Sequence, residues 1–562
     1  MKSLFRWQYH PQCTNKRIAI IVLLLLGGFT AIVLRLFLLA FVYKSSNYMV
    51  SENGDCCIRR EITDRNGDLL AINLPTASIF AHPKQISDPE GVAYQLTKAI
   101  PDLEYTQVVE KLKRNKNFVW LRRDVNPEEQ KVIKNLGIKG IESIKDYKRF
   151  YTYSSILSHA IGYVDRDGKG LAGLERGLEP ILKDTSLKDQ KIALSIDMNI
   201  QSIVSEELKA ARQQYSAKAG CALVADVTTG EILAFVNEPN FNPHKIDPTN
   251  IESLENRNAL CSYQLGSIFK PIVVAIGLDM GKVDLCDLYD VTELQIGKQK
   301  FEDLTHSSGW YTVAKILAKS SNKGISKIAL EIGQDTVRQY CKLLGFFDIV
   351  PHIEIPEKAK PIYHRQNWSN LDLINTSYGY GICLTPLHYV QAMIALINGG
   401  NLIPLTLLKA DSPPKGVRVL HNESTSEKMQ ILLRLVVRHG TCRGAYVAGQ
   451  DVGAKTGTAN KLIDGRYDKK KVFCSIVAAF PINKPKYIIY AMLDEPQTPP
   501  GAKTATAGLT MPPIIKQIIM RMSTKYALEP QKDDYSKWDY LLNPPETNSI
   551  NAEKNSANQS LQ

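Results

Sequence analysis

Residues 18–43 are almost wholly apolar and carry a single charge, Arg35. At about 1.5 Å of rise per residue, a helix of this length exceeds the roughly 30 Å of a bilayer core. No soluble domain accommodates such a run on its surface, so the segment predicts one membrane-spanning helix, with Arg35 close enough to one end to snorkel. Lys2, Arg6, Lys16 and Arg17 precede it, and the first acidic residue is Glu52. The excess of positive charge puts residues 1–17 in the cytoplasm and everything after about 44 on the far side of the membrane. The run is longer than the apolar part of a signal peptide and no A-x-A-like site comes after it, which predicts an uncleaved anchor.

The chain beyond the anchor is too long for one core, so two or three domains are expected in the 562 residues. With 44% hydrophobic and 22% charged residues the composition is globular. A net charge of +12 invites a nucleic-acid reading. No Lys/Arg run is interleaved with stacking aromatics, however, and nucleic acid is set aside. The ten cysteines include an adjacent pair, Cys56 and Cys57, and others scattered singly. No C-x-x-C pair occurs, which predicts neither a metal site nor a disulfide framework.

Residues 44–190 read as a mixed α+β pedestal, with a strand at 77–81 and a helix at 127–136. Two decoys lie in it. The stretch 162–170 has glycines as a phosphate loop does, but their spacing is wrong and no Ser or Thr comes after Lys169. Asp165 and Asp167 open like a calcium loop, yet Lys169 and Arg176 stand where ligands would be needed. From 191 to 525 the pattern is regular. KIALSID reads as a strand leading into a helix, CALVADV and EILAFV as a hairpin, and QDVGAKTGTAN, KVFCSIVAAF and KYIIYAML as three strands before a helix opened by Pro512-Pro513. Strands at both ends with helices between them predict an α/β domain, one antiparallel sheet covered by helices. Residues 526–562, rich in Asn, Ser, Lys and Glu, are expected to be a disordered tail.

Three Ser-x-x-Lys matches compete for a catalytic role. Ser412-Pro-Pro-Lys415 is a proline turn whose lysine would not face its serine. Ser267-Ile-Phe-Lys270 comes after Gly266 and before Pro271, so a helix is expected to start near Ser267, with the lysine on the same face three residues on. A serine hydroxyl is a poor nucleophile until a base takes its proton. Lysine can be that base where burial lowers its pKa, and Ile268, Phe269 and Ile272 offer an apolar wall. The third match, Ser320-Ser-Asn-Lys323, also supplies Ser320-x-Asn322, expected on a helical stretch. Lys455-Thr456-Gly457-Thr458 lies further on, in an expected strand.

S-x-x-K, S-x-N and K-T-G in this order form the signature of penicillin-binding proteins and serine β-lactamases, which this chain resembles. The resemblance spans roughly residues 20–525. The segments ITDRNGDLLA, DGKGLAGLER, NEPNFNP, SSNKGISKIAL, YGYGICLTPL and LDEP are similar to class B, monofunctional penicillin-binding proteins, more to the septal, FtsI-like branch than to the elongation branch. A bifunctional class A enzyme would need a glycosyltransferase domain for which about 150 residues leave no room. Two departures stand out: Leu265 replaces a usual proline, and YTYSS at 151–155 lacks the usual glycine.

The resemblance implies a penicillin-binding transpeptidase fold, including an all-helical part, behind the pedestal and anchor. It implies that Ser267 attacks the carbonyl between two terminal D-alanines of a peptidoglycan stem peptide and that Lys270 takes its proton. The backbone N–H groups of Ser267 and Thr458 would hold the oxyanion. Ser320 and Asn322 would hold Lys270 and the substrate amide, while Lys455, Thr456, Gly457 and Thr458 would bind the substrate's carboxylate and backbone. An amine of a neighbouring stem would then resolve the acyl-enzyme, and β-lactams would acylate the same serine. No cofactor is implied. The implied partners are a SEDS-type glycosyltransferase and other division proteins, met through the anchor and pedestal in the bacterial cytoplasmic membrane. A D,D-carboxypeptidase or β-lactamase, an elongation-type transpeptidase and a non-catalytic divisome scaffold remain the alternatives.

Overall fold

The computed structural model describes residues 11–37 and 58–545, apart from 351, 364–367, 503 and 533. A helix, Pro11–Phe37, covers most of the expected anchor, and residues 38–43 lie outside the described ones. Its apolar side chains are open, with Leu23, Leu24 and Phe29 about 70% exposed. Among the described residues no helix is long and apolar enough to cross a membrane.

Contacts divide the chain into two compact units, one of 1–57 with 76–147 and one of 58–75 with 148–562. In the first, the second half of the strand Leu69–Ala81 pairs antiparallel with Val119–Val125, placing Ala77 opposite Val125. Three helices, Pro89–Ala99, Tyr105–Leu112 and Pro127–Leu136, close a small core of Ile79, Leu96, Ile100, Val108 and Leu121. The last helix has the bounds read from the sequence because its ends carry strong signals. Asn126 and Glu129 form a reciprocal capping box, Pro127 takes the first helical position, and Gly137 ends it in the left-handed region.

Residues 58–75 and 148–190 pack with the second unit. Fully buried charges do much of this: Arg59 binds Glu175 and Glu179 at 2.7 Å each, and Arg149 binds the other Glu175 oxygen at 2.7 Å. Removing one partner from such a buried network typically costs about 3–5 kcal/mol.

The second unit is built on a five-stranded antiparallel sheet. Its order is Gly453–Ile463, Arg466–Phe480, Tyr487–Asp494, Ala219–Asp226, Ile232–Glu238. Strands from the two ends of the domain meet in the middle, with Ala491 opposite Ala222, as the sequence predicts. Every residue of Ile232–Glu238 is buried, so both faces of the sheet are covered. Met198–Gln214 and Pro512–Lys525 pack on each other at the sheet, and Ser424–His439 lies against Gly453–Ile463. The expected all-helical part comprises Val313–Lys319, Asn322–Ile332, Gln334–Leu343 and Asn370–Ser377.

Residues 526–545 correct the expectation of a disordered tail from 526. Tyr535–Leu542 is a 3-10 helix with Leu541 2% and Leu542 8% exposed. Their apolar groups remove them from the compositional class of the remaining tail, 546–562, which lies outside the described residues.

Candidate active site

The expected helix start divides in two. Gly266–Phe269 is a 3-10 turn, and the α-helix proper is Lys270–Asp279, carrying Pro271 in its first turn. Gly266 has φ +56°, and a Cβ there would lie 2.5 Å from the Thr458 carbonyl. Only glycine lets the turn approach the Lys455 strand so closely. Gly457 serves the same contact from the other side, since a Cβ on it would meet the Leu265 carbonyl at 2.6 Å and the Ile268 nitrogen at 2.8 Å. Buried Tyr389 pins the turn by donating to the Ile268 carbonyl at 2.6 Å. Leu265, in place of the usual proline, has φ −82° and ψ −24°, close to what a proline ring would fix.

The second motif lies at a junction between helices, not within one. Ser320 comes directly after Val313–Lys319, in the left-handed region at φ +60°, and Asn322 opens Asn322–Ile332. The Lys270 amine is fully buried and donates to the Ser320 carbonyl at 2.5 Å, to Asn322 Oδ1 at 2.8 Å and to Ser320 Oγ at 3.3 Å. None of its hydrogen bonds runs to Ser267. Lys455 is also fully buried and donates to the same Ser320 hydroxyl at 2.9 Å and to the Thr456 carbonyl at 2.8 Å.

Burial, and next the Lys455 ammonium, hold Lys270 well below the ordinary lysine value against an upward pull from Asp303. Burial pushes Lys455 down to about 8. Lys323, the lysine of the rival match, turns away from Ser320 and donates to the Thr292 and Ser307 carbonyls at 3.0 and 2.9 Å.

Ser267, Ser320, Asn322, Thr456 and Thr458 line one cleft of about 1300 Å³. Thr456 Oγ1 lies 2.8 Å from Thr441 Oγ1, and Thr458 Oγ1 accepts from the Ala507 N–H at 2.9 Å. The strand Gly453–Ile463 is at the edge of its sheet, so one side of its backbone is open to an extended peptide.

Sequence reasoning misses Asp303. Its carboxylate accepts from the Asn322 N–H at 2.5 Å, the Lys323 N–H at 3.0 Å and the Ser321 hydroxyl at 2.7 Å, and also from the Ser307 hydroxyl. It thus anchors the helix start that carries the second motif. No pattern marks it, because its partners are backbone groups 19 and 20 residues on. Thr441, His439 and Arg443, which line the same cleft, are likewise unmarked.

A buried lysine beside a serine at the mouth of a cleft, with a second lysine at an open sheet edge, defines the class of serine enzymes that work through an acyl-enzyme with lysine as base. Residues 220–520 match the penicillin-binding protein transpeptidase domain, and residues 57–218 match the penicillin-binding protein dimerisation domain. The chain belongs to the penicillin-binding protein family. It is 31% identical over 520 residues to the probable peptidoglycan D,D-transpeptidase PenA of Neisseria gonorrhoeae, covering 86% of this chain and 89% of that one. It is 31% identical over 478 residues to the probable peptidoglycan D,D-transpeptidase FtsI of Caulobacter vibrioides, covering 83% and 81%. Penicillin-binding protein 3 of Mycobacterium tuberculosis, solved in complex with aztreonam, has the same fold. Its TM-score is 0.67 at 21% identity, with 85% of this chain and 98% of that one covered.

Proposed function

We propose that the chain is a peptidoglycan D,D-transpeptidase of septal cell-wall synthesis. The observation that carries this is the convergence of Lys270 and Lys455 on Ser320 in the cleft that Ser267 lines. Ser267 Oγ bonds to the carbonyl carbon between the terminal D-alanines, and its proton passes to Lys270. The C–N bond to the last D-alanine breaks as Ser320 hands a proton to the leaving amine. The amine of a second stem then attacks the ester, forming the crosslink and returning Ser267. Backbone N–H groups of Ser267 and Thr458 hold the oxyanion, and each such donor is worth about 3–4 kcal/mol. Lys455 as a cation, with Thr456, takes the donor's carboxylate.

Labelling with a fluorescent penicillin tests this reading. The chain is expected to form a stable adduct at Ser267, and Ser267→Ala none; an unlabelled wild type, or equal labelling of the variant, overturns it. Supplying a donor stem with and without an added amine separates transfer from the hydrolysis of a carboxypeptidase or β-lactamase. The relatives named FtsI, together with DGKGLAGLER and SSNKGISKIAL, support the septal branch over the elongation branch. A tagged copy is expected at the septum, and a side-wall pattern would reassign it. The basic N-terminus and the apolar run support a single-pass protein of the bacterial cytoplasmic membrane with the catalytic unit outside. A SEDS-type glycosyltransferase is the partner of the anchor and pedestal. Their exchange is expected to abolish co-purification, and unchanged co-purification would exclude that contact.

A further inference from the structure

Acyl transfer calls for nothing beyond the last helix of the sheet domain, yet the chain continues into a segment that grips both helices ending at the cleft. Val313–Lys319 runs into Ser320, and Ser424–His439 runs through Gly440 into Thr441, the partner of Thr456. The two helix ends abut: Lys319 Nζ donates to the His439 carbonyl at 3.2 Å, and a Cβ on Gly440 would lie 2.4 Å from the Ala318 carbonyl.

The C-terminal segment holds each helix separately. On the first, Thr312 Oγ1 donates to the Leu541 carbonyl at 2.6 Å and Lys315 Nζ to Asn543 Oδ1 at 2.7 Å. On the second, Asp539 receives Arg438 through Nη2 at 3.0 Å, and His439 Nε2 lies 2.8 Å from Asp539 Oδ1. Buried Leu541 and Leu542 give the segment an apolar foothold. His439, fixed by that carboxylate, lines the cleft two residues before Thr441. Arg438 and His439 are the basic residues of their helix's last turn, so the single carboxylate of Asp539 faces both cations where the helix ends.

We propose that residues 535–543 brace the acylation cleft, with Asp539 a positioning residue that acts through His439 and Thr441 on the end of the site that takes the donor's carboxylate. This rests on the acyl-transfer reading of the cleft. Because Asp539 touches the Thr441 side of the cleft and not Lys270, its loss weakens binding rather than the chemical step.

Stopped-flow acylation of the purified chain by a fluorescent penicillin separates the two. Asp539→Ala is expected to raise the saturation constant about tenfold while leaving the limiting acylation rate within about twofold, and Asp539→Glu to restore it. Should the alanine variant not fold, Asp539→Asn keeps the shape and is expected to raise the same constant about threefold. Amide hydrogen exchange at residues 438–442 gives a readout without chemistry and is expected to quicken in either variant. An unchanged saturation constant, or unchanged exchange, overturns the brace whatever the melting temperature does. A wild type that is not labelled at Ser267 overturns the acyl-transfer reading instead, and the exchange measurement still decides the brace.

Discussion

Ser320 is where the electrostatics of the cleft meet. Its hydroxyl accepts from both lysines, which leaves its own hydrogen directed elsewhere, as a proton relay to a leaving amine requires. Three acceptors face Lys270 as they would an ammonium, but burial and Lys455 oppose the charge, and the balance lies towards the neutral amine a base must be. Lys455 has the opposite task, since it binds a carboxylate only while charged, and a lysine is charged below its pKa. With Lys455 lowered to about 8, acylation efficiency is expected to fall as pH rises through about 8. Lys455→Arg, charged throughout this range, should remove that alkaline limb even if it slows the reaction. A pH profile of penicillin acylation measures this, and a limb that persists unmoved in the arginine variant would assign it to another group. The second sequence departure is also a residue-scale matter: Ser154 stands at φ +48°, where the usual glycine would be unstrained.

At the scale of elements, Asp303 shows how a site depends on a residue outside its motifs. Its carboxylate gathers two backbone N–H groups and two hydroxyls at the start of Asn322–Ile332. Replacing it with alanine strands those donors. Asp303→Ala is expected to cost about 2–3 kcal/mol in denaturant unfolding. It is also expected to slow acylation more than tenfold, because Ser320 and Asn322 lose their anchor. Lost stability with normal acylation would make Asp303 a scaffold residue only. The motifs themselves are legible because acyl transfer fixes residue types and their order, and the core strands because a sheet covered on both faces demands apolar runs. Other parts carry no such signal. The hairpin continues past Asn460 into polar residues, pairing Leu462 with Tyr467 by backbone alone. Trp538, Leu541 and Leu542 are too few to lift a polar tail out of its compositional class. The turn at Ser320 looks helical in sequence because helices flank it on both sides.

On the scale of the whole molecule, the chain makes one excursion from its catalytic unit. It leaves after Pro75, builds the small unit of 76–147 on a core of its own, and returns at Lys148. The departing and returning segments are tied together inside the catalytic unit: the Thr152 N–H donates to the Leu70 carbonyl at 3.1 Å, and Arg149 and Arg59 share buried Glu175. Those ties involve none of the residues 76–147, so the catalytic unit's own contacts close the loop from which the excursion departs. Replacing 76–147 by a short Asn-Gly turn therefore keeps the apolar core and the cleft intact. The shortened chain is expected to fold, melt within a few degrees of the parent and acylate with penicillin within about threefold of its rate. Calorimetry and stopped-flow labelling measure both. A shortened chain that folds but acylates more than tenfold slower would mean that the excursion shapes the cleft, which would give residues 76–147 a direct part in catalysis beyond docking.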